Sequence, residues 1–200
     1  TYNHALQNLS GIGALKTIGG NLRIDYNIIL ADINGLSGLQ SIGGNVLITS
    51  NSSGANGLTN LNGLPNLKSV GGRFEIASNN VLTAISGFGA LATIGGDLWI
   101  HDNAALASVD GLTALTALTA PASDLHIHTN AQLMTLNGLT ALQTTTGYVS
   151  IHDNAKLAVL DGFDAFQKTE SGEIEIFNNA MLSDITSTAF PMLTEVNGFL

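Results

Sequence analysis

The sequence predicts a mainly β fold, a right-handed parallel β-solenoid of about eight rungs of roughly 24 residues each, with residues 1–200 as a single domain. Three observations predict it. A nine-residue phrase recurs at a nearly constant step, apolar residues alternate inside that phrase, and an asparagine closes it every time.

The phrase is GGNLRIDYN at residues 19–27, and it returns as GGNVLITSN, GGRFEIASN, GGDLWIHDN, ASDLHIHTN, TGYVSIHDN and SGEIEIFNN. Repeats therefore start near residues 19, 43, 71, 95, 122, 146 and 171, with partial repeats at 1–18 and 197–200. The first apolar strand residue falls at Leu22, Val46, Phe74, Leu98, Leu125, Val149, Ile174 and Leu200, so the steps by subtraction are 24, 28, 24, 27, 24, 25 and 26. The longer steps place insertions around Ser52 to Gly57 and around Thr119 to Ala122, both expected as loops at corners of the coil. Chain boundaries that fall inside repeats suggest a piece of a longer chain, or an assembly of copies stacked end to end.

Within the phrase, alternate side chains face opposite sides of a strand. Leu22 and Ile24 then point inward, and Arg23 and Asp25 point outward. The inward columns are apolar in every repeat, which would give a rod roughly 35–40 Å long at the inter-strand spacing of parallel sheets. After each strand comes Asn-x-x-Leu-x-x-(Leu/Ile/Val)-x-Gly-(Leu/Phe)-x-x-Leu. Apolar positions three apart cannot lie on one face of one strand, so this part is expected to turn corners in short extended or turn-like pieces.

The asparagine column is Asn3, Asn27, Asn51, Asn79, Asn103, Asn130, Asn154 and Asn179. A polar residue kept at the same bend of every rung predicts a buried structural ladder whose amides satisfy backbone groups. A glycine column, Gly11, Gly35, Gly63, Gly87, Gly111, Gly138 and Gly162, suggests positive φ at another corner, and Ser187 breaks it in the last repeat.

Leu-x-Ile-x-x-Asn-x-x-Leu resembles the core of leucine-rich repeats, and the added Gly-Gly and Asn-x-x-Leu-x-x-Leu-x-Gly-Leu resemble the receptor L-domain repeats of cell-surface proteins. The resemblance covers essentially the whole chain. It departs in lacking the cysteine-rich modules that flank such domains in animal receptors, and in this it looks more like bacterial or fungal cell-surface proteins. What it implies is an extracellular or cell-surface protein with a structural, adhesive or filament-forming role.

Composition narrows the partners. Fifteen Asp and Glu against six Lys and Arg give a net charge of -9, which argues against nucleic acid or an anionic membrane surface. No apolar run is long enough to span a membrane, and no signal-peptide pattern or initiator Met is present. Zero Cys excludes disulfides and thiolate metal sites. Protein or glycan partners, or further copies of the chain, remain, and no cofactor is implied.

Function is then sought on the outward strand columns. One reads Arg23, Leu47, Glu75, Trp99, His126, Ser150, Glu175; the other reads Asp25, Thr49, Ala77, His101, His128, His152, Phe177. Trp99, His101, His126, His128 and His152 thus converge on three consecutive rungs as a candidate ligand-binding patch, with Trp99 as a stacking platform for a sugar or a partner chain. Stacked His101, His128 and His152 could also hold a divalent metal, with Asp102 or Asp153 contributing. The alternative is polar sheet surface copied by repeat duplication. Mixed outward columns exclude a threonine lattice for ice on that face. No nucleophile elbow, phosphate loop or His-Glu-x-x-His motif occurs, and Glu75 and Glu175 lie four rungs apart, so the expectation is a non-enzyme. Two glycosylation sequons occur, Asn8-Leu9-Ser10 and Asn51-Ser52-Ser53; the ladder should protect Asn51, leaving Asn8 as the candidate acceptor.

Overall fold

The computed structural model describes residues 2–183, Ile185 and residues 189–198. Ser187, Phe199 and Leu200, to which the repeat register assigned a broken glycine position and the start of a further strand, lie outside the described residues. The chain winds into a parallel β-solenoid. Its wide wall is a seven-stranded sheet of four-residue strands, Leu22–Asp25, Val46–Thr49, Phe74–Ala77, Leu98–His101, Leu125–His128, Val149–His152 and Ile174–Phe177. Its narrow wall is an eight-stranded sheet of two-residue strands running from Thr17–Ile18 to Glu195–Val196.

Pairing on the wide wall is parallel and in register: Leu22 opposes Val46, Val46 opposes Phe74, and the alignment continues through Val149 and Ile174. A one-residue slip would turn the apolar set outward, so the Leu-x-Ile pattern fixes the register. The third side is made of turns spaced by the three-residue apolar period. Ile33, Leu36 and Leu39, and their equivalents Val109, Leu112 and Leu115, are at most 1% exposed. Short 3-10 turns occupy this side at Ser10–Ile12, Asn34–Leu36, Asp110–Leu112 and Asn137–Leu139, and isolated parallel bridges link Asn60, Ala84, Ser108 and Thr135. Where Thr145 and Thr169 replace the aliphatic residue of the narrow wall, each buried hydroxyl donates to a carbonyl, of Gly147 at 3.1 Å and of Gly172 at 2.6 Å.

Both insertions lie outside the coil. Ser52–Ser53 and Asn56–Gly57 pair as an antiparallel hairpin with exposed residues 53–56, and Pro121 and Ala122 are exposed.

The wide strand ends in a repeated backbone reversal. Tyr26, Ser50, Ser78, Asp102, Thr129, Asp153 and Asn178 all have φ between 54° and 57°. Left-handed backbone costs a non-glycine residue about 1–2 kcal/mol. The asparagine that follows compensates. The Oδ1 atoms of Asn51, Asn79, Asn103, Asn130, Asn154 and Asn179 each accept the backbone N–H of the asparagine one turn earlier, at 3.0–3.2 Å. Their Nδ2 groups donate back to the strand isoleucine carbonyl of the turn before, at 2.8–2.9 Å, from Ile24 for Asn51 to Ile151 for Asn179. Asn51 to Asn154 are fully buried. Asn3 differs: it is exposed, and its contact to the ladder is its N–H donating to Asn27 Oδ1 at 3.2 Å.

The glycine column serves a different purpose from the expected one. Only Gly87 and Gly162 within it have left-handed φ, at 89° and 82°. At Gly35, Gly63 and Gly138 a methyl group would instead collide with the carbonyl oxygen of Leu9, Ile33 or Val109 in the preceding turn. Close approach of successive backbones excludes any side chain there, and the turn residues need no unusual φ. Asp25 also departs from expectation, being fully buried, with Arg23 on its Oδ2 at 2.8 Å.

Asn103→Ala should destabilise the protein by about 1–3 kcal/mol, because the N–H of Asn79 and the carbonyl of Ile76 lose buried partners. Equilibrium denaturant unfolding measures it, and a midpoint equal to that of the parent would contradict the ladder.

Candidate functional site on the wide wall

Parallel in-register pairing stacks like positions, so the histidines are brought together by the same alignment that builds the core. His101 pairs with His128, His128 with His152, and His152 with Phe177. Their rings lie face to face, with centroids 4.9, 4.7 and 4.5 Å apart and interplanar angles of 14°, 3° and 5°. These separations match the strand spacing, so each ring stands over the next without leaving its strand's geometry.

The flanks of the column are carboxylates and hydroxyls. His101 Nδ1 meets Asp102 Oδ2 at 2.7 Å, His152 Nδ1 meets Asp153 Oδ2 at 2.7 Å, and His128 Nδ1 meets Thr129 Oγ1 at 3.1 Å. The contacting residues are the left-handed ones, so the reversal that feeds the asparagine ladder also turns Asp102 and Asp153 toward the imidazoles. The ladder touches the column as well, since Asn103 and Asn130 donate to the carbonyls of His101 and His128 at 2.9 Å. Glu75 Oε1 stands 3.6 Å from His101 Nε2, and Asp124 Oδ2 stands 3.6 Å from His126 Nε2.

Trp99 sits beside the column, edge-on to His126 at 5.3 Å and to His101 at 6.2 Å. One of its faces is covered by the Arg73 guanidinium, 3.9 Å from the ring centroid. Arg73 is held there by Asp97 at 3.0 Å and faces Glu75 at 3.8 Å. That ring face is therefore already filled by a cation–π contact. The covered face is closed to a sugar or a partner chain while Arg73 stays paired.

The ring geometry does not favour a metal on His101, His128 and His152. A tetrahedral ion needs lone pairs converging on one point, whereas face-to-face imidazoles direct their nitrogens along parallel planes. Among the described residues no group of three or more His, Asp or Glu side chains is disposed to hold a metal ion.

Within the column one imidazole is shifted. His128 is pushed down to about 4, first by burial and then by the adjacent charges of His101 and His152, with Asp102 opposing. The exposed carboxyl of Asp153 is held below the usual carboxylate range, chiefly by its hydrogen bond from His152. Two buried nitrogens on the patch, Trp99 Nε1 and His101 Nε2, have no hydrogen-bond partner.

Two features escaped sequence reasoning. Arg73 is one, since nothing in the repeat marks it as a lid for a tryptophan on the next rung. The other is a second ladder where the wide strands begin. Asn21, Asn45, Asp97 and Asp124 each accept, through Oδ1, the N–H of the residue one turn later, at 2.7–3.1 Å. Its signal was present in the Asn or Asp after Gly-Gly in several repeats. Asn8 is exposed and Asn51 fully buried.

Comparison of the chain with protein-family models, with curated proteins and with solved structures finds no match. Fold and site together define a β-solenoid repeat protein carrying an imidazole–aromatic column on its wide wall.

Acidification should weaken the fold through His128. Unfolded, this histidine takes up a proton near 6.5; folded, it resists until about 4. The unfolded chain thus binds more protons within that window, so stability is full above 6.5 and falls as pH drops toward 4. Allowing for solvent screening, the loss should be about 1–2 kcal/mol. His128→Phe, which keeps a ring in the stack, should reduce the difference between unfolding free energies at pH 7.5 and 4.5. An undiminished difference would contradict the assignment.

Proposed function

We propose that the chain is a non-enzymatic extracellular or cell-surface repeat scaffold of the leucine-rich, receptor L-domain style, with a structural or adhesive role. The observation that carries this reading is the contrast between inside and outside. Residues that recur turn after turn, the leucine, isoleucine and asparagine columns, face the core, while the outward columns change from Arg23 through Trp99 to Glu175. Repetition is thus spent on building a rigid rod, and the variable wall is left for display.

A second reading is a ligand-binding module on the Trp99 and histidine patch, with a glycan or protein as ligand. It is favoured by the gathering of Trp99 and four histidines on three consecutive rungs of the wide wall, an aromatic cluster of the kind that contact surfaces use.

Two measurements test these readings. Antibodies to the purified protein should label intact cells that produce it, and labelling only after permeabilisation would contradict the surface role. The double variant His101→Ala/His128→Ala should adhere to cells or matrix as the parent does if the rod is a scaffold. A tenfold or greater loss of binding, with an unchanged unfolding midpoint, would favour the patch instead.

A further inference from the structure

The two sequons stand in opposite structural situations. At Asn51 the amide is consumed by the fold: Nδ2 donates to Ile24 O at 2.8 Å and to Asn79 Oδ1 at 3.2 Å, and the residue is fully buried. A sugar on that nitrogen would remove a ladder proton and require space that the core does not have. At Asn8 the residue is exposed on the turn side of the coil, away from both sheets. Its Oδ1 accepts the Ser10 N–H at 3.2 Å and the Ser10 hydroxyl at 2.8 Å. Those bonds engage the oxygen and not the amide nitrogen.

The turn itself is ordinary for this position. Asp32 and Asn60 receive the N–H two residues on in the same way, at 2.9 and 3.2 Å. Asn8 differs in combining the amide with a hydroxyl residue two positions later. Beside it runs an open groove of about 460 Å³, lined by Asn8, Ser10, Gly13, Asp32, Asn34 and Ser37, whose side chains offer hydroxyl, amide and carboxylate partners to a first sugar.

We infer that Asn8 is an N-glycosylation acceptor and that Asn51, despite its matching triplet, is not. Occurrence in nature rests on the extracellular reading above; the competence of the site does not. The donor is an oligosaccharide linked to a polyprenyl diphosphate, supplied with its transferase by the secretory route. A bond forms between Asn8 Nδ2 and C1 of the first sugar, and the bond from C1 to the diphosphate oxygen breaks. Polyprenyl diphosphate leaves with the electron pair, and the amide proton passes to base. The glycan then lies along the turn side and leaves the wide wall uncovered.

The test is secretion of the full chain from a eukaryotic host behind a host signal peptide, followed by intact-mass and peptide mapping before and after an amidase that releases N-glycans. One glycan is expected, at Asn8. Asn8→Gln and Ser10→Ala should each abolish it, whereas Ser53→Ala, which removes the second triplet without touching the ladder, should leave it unchanged. Secreted, cooperatively folding protein with Asn8 unmodified, or with a glycan on Asn51, would overturn the inference. Because the host supplies the secretory route, that outcome is separate from where the natural protein resides, which the antibody labelling decides.

Discussion

Superposition of successive turns is the constraint on which the rest depends. Local turns satisfy only part of the backbone at each bend, and the remaining groups find their partners one turn away. The buried asparagines meet that demand. Each is tied to the turn before it, accepting that turn's asparagine N–H and donating to its isoleucine carbonyl, and this linkage holds through both insertions. The left-handed residue before each asparagine is tolerated because it delivers the amide to this position.

Function and framework share this constraint. The alignment that stacks Leu98 over Phe74 and Leu125 inside also stacks His101 over His128 and His152 outside. The column's chemistry follows from that spacing. Rings one strand apart shield one another, so the central imidazole, flanked on both sides and beside Thr129 rather than a carboxylate, resists a proton. The same parallel planes that make stacking favourable make chelation unfavourable.

The apolar columns were legible because alternation within Leu-x-Ile and the step between phrases are both properties of sequence alone. That His101, His128 and His152 share a column followed from register. What register cannot supply is the orientation of rings, and imidazoles one strand apart can either stack or splay toward an ion. The glycines misled for a related reason. A glycine repeated at a bend reads equally as a need for positive φ or a need for no side chain, and only the approach of Leu9 and Val109 carbonyls to Gly35 and Gly138 distinguishes them. Meanwhile Tyr26 and Thr129, which do adopt positive φ, carry no sequence mark of it. The cover over Trp99 was illegible because Arg73 precedes its own strand and reaches across one rung to Asp97.

The most direct measurement is native-state hydrogen exchange at the backbone amides of Asn27, Asn51, Asn79, Asn103, Asn130 and Asn154, each of which donates to the next asparagine side chain. If the ladder holds the coil, these amides exchange only through global unfolding and rank with those of Ile48, Ile76 and Ile100 in the core. Exchange at the rate of the exposed hairpin residues 53–56 would contradict it.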